Sequence, residues 1–265
     1  MSRSLMIHMG RCGSTVVSTQ LRQHPEMCWR GEIYERLFKA WEKLGGDLRS
    51  KRGEFRPWTL PAPFEVHPPG VPLDPLARLD ADIDEHPAEH YGFEVKPFHW
   101  RLLDCDPGAF LQSVEARGFD RFILLWRRNA LRKIVSSVVS RQRRQFHSTT
   151  PLGLFPITLD PERVSLDRND GPLLETLAGY EAQQAHLGAL LADRDCLRLV
   201  YEDHVEADPA VAYAQVRDHI GLTPRDDIEI KLARTTDHPL DRVIRNFDEV
   251  AEVLSGTRWE WMLER

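Results

Sequence analysis

Gly10, Arg11, Cys12, Gly13, Ser14 and Thr15 follow the apolar run Leu5–Met9 and precede the helix-compatible stretch VVSTQLRQ. Glycines at such a turn let main-chain N–H groups converge on one point. The helix start beyond them adds a positive dipole end and two hydroxyls, and Arg11 adds a fixed cation. The chemistry served by that set is the binding of a phosphate or sulfate. The nucleotide-hydrolase pattern G-x-x-x-x-G-K-[ST] is not met, in glycine spacing or in lysine, so magnesium-bound triphosphate chemistry loses its main support. The plain alternative is a tight turn with Ser14 and Thr15 as ordinary caps.

A second string follows the run RFILLW. Residues 127–144 contain seven basic side chains and no acidic one. Arg128, Arg132 and Ser136 are spaced four and four, which predicts one helix side opposite Leu131, Ile134, Val135 and Val138. A guanidinium at the helix entry and a hydroxyl two turns on suit a phosphate, through charge-assisted bonds worth about 1.5–3 kcal/mol each. Nucleic-acid binding would call for aromatic platforms and further basic segments. The remainder is acidic: 35 basic against 41 acidic residues leave a net charge of −6, so any anion must find a local patch.

Both strings need a scaffold that presents loops at strand ends. Leu5–Met9, Tyr91–Val95, Arg121–Trp126 and Cys196–Tyr201 are apolar without strict alternation and read as buried parallel strands. Helical spacing between them implies right-handed crossovers, hence an α/β chain with three α/β/α layers around a central parallel sheet. Asp106 before Pro107 reads as a helix start, and Asn246 opens FDEVAEVLSG with Gly256 as its stop. A single domain over residues 1–265 is expected, carrying an irregular proline-rich insertion at about 46–90. Pro57 to Pro75 holds seven prolines and reads as a surface flap. Asp80, Asp82, Asp84, Glu85 and Glu89 read as a solvated acidic face, because Glu85 stands where a calcium loop needs its turn glycine.

At 265 residues the chain buries a core without help from metal or disulfide. Cys12, Cys28, Cys105 and Cys196 are scattered with no CxxC pair and read as reduced thiols. The first apolar run, interrupted by His8, is too short for a secretion signal or a membrane span, so a soluble, cytoplasmic protein is expected.

With both strings in place, the chain resembles sulfotransferases that use 3′-phosphoadenosine 5′-phosphosulfate (PAPS), in particular the bacterial and Golgi-type carbohydrate sulfotransferases with a P-loop-like architecture. The family's R-S-G-[ST]-T loop, which binds the 5′-phosphosulfate, is matched by Arg11, Cys12, Gly13, Ser14 and Thr15. Its R-N-P-x-x-R-x-x-S string, which binds the 3′-phosphate, is matched by Arg128, Asn129, Arg132 and Ser136. QHP with GEIYE, YGFEVKP, and YEDHVEADP with IGL resemble further family segments in the same order. The departures are Cys12 for serine, Ala130 for proline, and the surroundings of Lys96, where Val95 and Pro97 stand.

The resemblance implies transfer of a sulfuryl group from PAPS to a hydroxyl, less readily an amine, of a sugar or small polar metabolite. The product is 3′,5′-bisphosphoadenosine (PAP), and no metal is called for. Such in-line transfer rests on positioning and charge stabilisation. Glu32 stands at the family's base position, with Glu35 three residues on; a second carboxylate nearby raises the first one's proton affinity. Lys96 stands where the family's lysine neutralises the departing phosphate, and His99 with Trp100 is placed to line the acceptor pocket. The plain alternatives are a helix-start acid for Glu32, a snorkelling strand-end lysine for Lys96 and a satisfied structural ring for His99. Tyr201, Glu202 and Asp203 fit ligand contacts at a strand end or, for Asp203, a helix cap. The rival functions are a small-molecule kinase and a nucleotide-binding module without chemistry.

Overall fold

The computed structural model describes residues 2–35, 75–103, 105–167, 169–233 and 238–264. In chain order the elements are β1 (Ser2–His8), α1 (Ser14–Leu21), β2 (Met27–Trp29), α2 (Pro75–Glu85), β3 (His90–Val95), α3 (Pro97–Leu102), α4 (Pro107–Glu115) and β4 (Phe119–Trp126). After these come α5 (Ala130–Arg143), β5 (Val164–Leu166), β6 (Asn169–Gly171), α6 (Leu173–Leu190), β7 (Cys196–Val200), a π-helical turn (Tyr201–Val205), α7 (Pro209–Ile220), α8 (Leu240–Val243), α9 (Phe247–Leu254) and a 3₁₀ turn (Glu260–Leu263).

The described residues fall into two compact units. The first is built on a five-stranded sheet in the order β2-β3-β1-β4-β7, parallel throughout. Parallel strands require crossovers on the sheet faces, so both faces are covered and the strands read as unbroken apolar runs. Met6, Ile123, Leu125 and Leu199 pack on one face against Val17 and Leu21 of α1 and Ala212, Tyr213, Val216 and Ile220 of α7. An aromatic cluster forms around Phe93: Tyr34 meets Phe93 and Phe110 edge-on, Phe93 meets Phe119, and Trp100 meets Phe110. The alternation of Phe93 and Val95 with Glu94 along β3 turns the Glu94 carboxylate toward α1.

The chain's own punctuation starts and stops these elements. Asp106 accepts the Ala109 N–H at 2.8 Å ahead of Pro107, as the sequence predicts. Ahead of α7 the cap is Asp208, which accepts from Ala210; Asp203 lies inside the π-helical turn instead. Asn246 precedes α9, yet its side chain bonds the Leu159 main chain and Glu249 rather than capping the helix.

Of the insertion expected at 46–90, residues 46–74, including most of the proline-rich flap, lie outside the described residues. Residues 75–85 form α2, and the acidic face expected there is only partly solvated. Asp82 is fully buried, accepting from Arg30 (2.6 Å), Arg78 (2.9 Å) and the Tyr91 hydroxyl (2.8 Å). Arg30 lies 52 residues away in the sequence, and together the three donors offset the cost of burying the charge.

The second unit contains α5, the β5-β6 hairpin, most of α6, α8, α9 and the 3₁₀ turn. The four cysteines are free thiols. Among the described residues no helix is long and apolar enough to cross a membrane.

Candidate active site

The glycine loop leaves β1 at the C-terminal edge of the sheet, where open α/β sheets place ligands. Its backbone bends through left-handed conformations at Gly10 (φ 58°), Arg11 (φ 52°) and Gly13 (φ 85°). Gly13 is the residue before α1, and its carbonyl accepts the Val16 N–H at 3.0 Å. A Cβ there would lie 2.6 Å from Val205 Cγ1 in the π-helical turn, so glycine is required by both φ and space. Ser14 is buried at the start of α1, while Arg11 and Thr15 are half-exposed. Cys12 is fully buried in the apolar layer with Met6 and Val205. Its side chain is a packing group whose Sγ lies 4.0 Å from His8 Nδ1.

Glu32 is delivered by a turn that favours glycine. Gly31 has φ 67°, and a Cβ on it would crowd the Arg22 guanidinium. On either side the chain continues along β3: Arg30 N–H bonds the Gly92 carbonyl and Glu94 N–H bonds the Gly31 carbonyl, both at 2.8 Å. This places Glu32 beside the C-terminal ends of β1 and β3. Its Oε2 lies 2.5 Å from Lys96 Nζ, and its Oε1 lies 3.7 Å from His8 Nε2.

Glu35 joins the same cluster. Glu32, Glu35 and His99 each present an atom within 4.8 Å of the others, and His99 Nε2 is 3.5 Å from Glu35. His99 is fully buried, and its Nδ1 accepts the Lys96 main-chain N–H at the start of α3 (3.2 Å). Burial lowers its pKa, helped by the Lys96 charge and opposed by Glu35. The ring is therefore neutral and holds its neighbours from behind.

Two residues of this cluster escape motif reading: His8 and Glu94. Both are buried. Glu94 Oε1 accepts from Trp29 Nε1 (2.8 Å) and from Ser18 Oγ of α1 (2.5 Å), and its Oε2 lies 3.1 Å from His8 Nε2. Burial alone would raise the Glu94 pKa, but His8, Ser18 and Trp29 together hold it down to about 2. For His8, burial opposes a second proton, while Cys12 and Glu94 favour one and carry the net direction upward. Against that second proton stands the loop itself: Gly10 N–H donates to His8 Nδ1 at 3.2 Å, which needs the lone pair there. The signal available in the sequence is a polar residue inside each of two buried strands, His8 in SLMIHM and Glu94 in YGFEV.

His8, Glu32 and Glu94 offer ligand atoms within 4.8 Å of one another, as do Glu32, Glu35 and His99. The cation already facing Glu32 is the Lys96 ammonium, so a metal there would meet a like charge.

In the second unit, Asn129 caps α5 by accepting the Arg132 N–H at 2.9 Å, and its amide N–H donates to the Met262 carbonyl. Arg128 is exposed just ahead of this helix start; Ser136 is buried two turns on. The cationic face expected for α5 is narrower than its composition implies. Arg127 and Lys133 are buried, Lys133 against Asp167 (2.7 Å) and over the Tyr180 ring. Tyr180 OH bonds the Arg127 main chain.

No family model matches the sequence, and the search of curated proteins gives no match. Several solved chains are similar. Among them is a crystal structure of a sulfotransferase from Alicyclobacillus acidocaldarius, with 12% identity over 100% of this chain and 96% of that chain and a TM-score of 0.47.

Proposed function

We propose that the chain is a sulfotransferase that moves the sulfuryl group of PAPS to a hydroxyl of a sugar or small polar metabolite. The observation that carries this reading is the convergence at one sheet edge: the glycine loop at the start of α1 donates to one nitrogen of His8, and the Glu32–Lys96 pair lies 3.7 Å from the other. A loop suited to a tetrahedral anion thus stands beside a carboxylate suited to take a proton. The order of the loop, the basic helix and the Y-E-D segment supports the same reading.

In this proposal the N–H groups around Gly13, the hydroxyls of Ser14 and Thr15, and Arg11 hold the 5′-phosphosulfate end, while Arg128 and Ser136 hold the 3′-phosphate. The acceptor oxygen forms a bond to sulfur as the bridging S–O bond breaks, the electron pair staying on the 5′-phosphate of PAP. Glu32 takes the acceptor proton, and Lys96 exchanges its partner Glu32 for the phosphate that gathers charge. His99 supports the pair by packing behind Lys96 and Glu35.

The test is Glu32→Gln, assayed by transfer of labelled sulfuryl group from PAPS across a panel of sugars and small alcohols. The expected result is unchanged PAP affinity with turnover lower by about 10²-fold or more. Near-normal turnover contradicts the base assignment. Tight PAP binding with no product from the wild type favours a binding module.

A further inference from the structure

Buried polar groups in the first unit fall into two kinds. Asp82 is satisfied by three donors and belongs to the packing of α2 against the β2–β3 region. His8 is different. It is 1% exposed, and its ring touches three functional segments at once. Nδ1 accepts the Gly10 N–H, the first peptide of the loop. Nε2 stands 3.1 Å from Glu94 and 3.7 Å from Glu32 without a straight hydrogen bond to either, so its N–H points between the two carboxylates.

We propose that His8 is a positioning residue that joins the first peptide of the glycine loop to Glu32, with Glu94 fixing the orientation of its ring. An apolar residue in the middle strand of a sheet would be cheaper to bury than a histidine with a carboxylate, so the pair needs a purpose other than stability. Geometry supplies one. The loop holds consecutive left-handed residues, Gly10 and the non-glycine Arg11, a conformation that persists only where surrounding bonds determine it. The His8 acceptor supplies such a bond. Glu32 is held at one oxygen by Lys96 and faces His8 with the other at 3.7 Å. Glu94 cannot turn, because Trp29 and Ser18 occupy its second oxygen. The inference deepens the sulfuryl-transfer reading: its consequence for turnover rests on that reading, while the linkage itself does not.

Two substitutions separate the arms. In His8→Asn the side-chain oxygen sits near the Nδ1 position and keeps the Gly10 contact, while the Nε2 arm is removed. In His8→Gln the amide nitrogen sits near the Nε2 position and keeps the carboxylate contact, while the Gly10 arm is removed. The readouts are the ¹⁵N–¹H signal of Gly10 and the ¹³C carboxyl signal of Glu32 in the ligand-free protein, together with PAP affinity. His8→Asn is expected to move the Glu32 signal, leave the Gly10 signal in place and keep PAP affinity within about twofold of wild type. His8→Gln is expected to do the reverse and to weaken PAP by about fivefold or more. Both signals moving together in both variants, or a Glu32 signal unmoved in His8→Asn, overturns the proposal. Should neither variant fold, the ¹⁵N spectrum of His8 in the unaltered protein decides: a bare Nδ1 supports the linkage and a protonated Nδ1 overturns it. A wild-type protein that ignores PAP refutes the sulfotransferase reading, and the two NMR signals still decide the linkage.

Discussion

At the scale of single residues, the site is a chain of charge pairs running from the loop into the sheet. The carboxylate of Glu94 is ionised in the interior because it accepts from Ser18 and Trp29 and lies 3.1 Å from the His8 ring. Its pKa falls from 4.5 to about 2 on folding. A depressed carboxylate pKa contributes stability that is complete above the unfolded value and is lost as pH falls through the folded one. Unfolding in urea followed against pH should therefore show stability declining between about pH 4.5 and 2. Glu94→Gln should flatten that limb and cost about 1–3 kcal/mol at neutral pH through unsatisfied donors. An acid limb of equal steepness in the variant contradicts the assigned environment.

Legibility at this scale depended on whether a residue's partners were near in sequence. Glu32, Lys96 and the loop stood out because each sits in a short string with its own chemistry. His8 and Glu94 did not, because their contact runs between two strands separated by more than eighty residues. The seven basic residues of 127–144 read as one cationic string because no acid lies within that window; far along the chain, Asp167 pairs with Lys133 and Tyr180 bonds the Arg127 main chain. Asp82 reads as solvated because Arg30, which meets both its oxygens, lies 52 residues away.

At the scale of elements, the four long apolar runs became β1, β3, β4 and β7, each within one to three residues of the expected ends. The edge strand β2 and the β5-β6 hairpin, at three residues each, carry too little pattern to read and are fixed by neighbours: β2 by pairing with β3, and the hairpin by its own ladder. The junction of β1 and α1 yields a sharp expectation. Gly13→Ala places a side chain in the left-handed region, at roughly 1–2 kcal/mol, and drives its Cβ into Val205, where overpacking costs a further ~1–3 kcal/mol. A thermal melt of this variant should show a clear loss of stability, and PAP affinity should fall with it as the loop shifts. A variant as stable as wild type contradicts the loop geometry.

At the scale of the whole molecule, a chain of net charge −6 is proposed to bind a multiply charged anion through two local basic strings. Binding should then depend on charges at both ends of the ligand. Adenosine 5′-phosphate lacks the group assigned to Arg128 and Ser136, and loss of one charge-assisted contact of about 1.5–3 kcal/mol corresponds to roughly 10- to 100-fold in affinity.

The most direct measurement is a calorimetric titration of the wild-type protein with PAP, adenosine 5′-phosphate and ATP, with and without magnesium. The account predicts that PAP binds at least about tenfold more tightly than adenosine 5′-phosphate, and does so without magnesium. Equal affinity for the two monoadenosine ligands, or tight binding confined to ATP with magnesium, would contradict it.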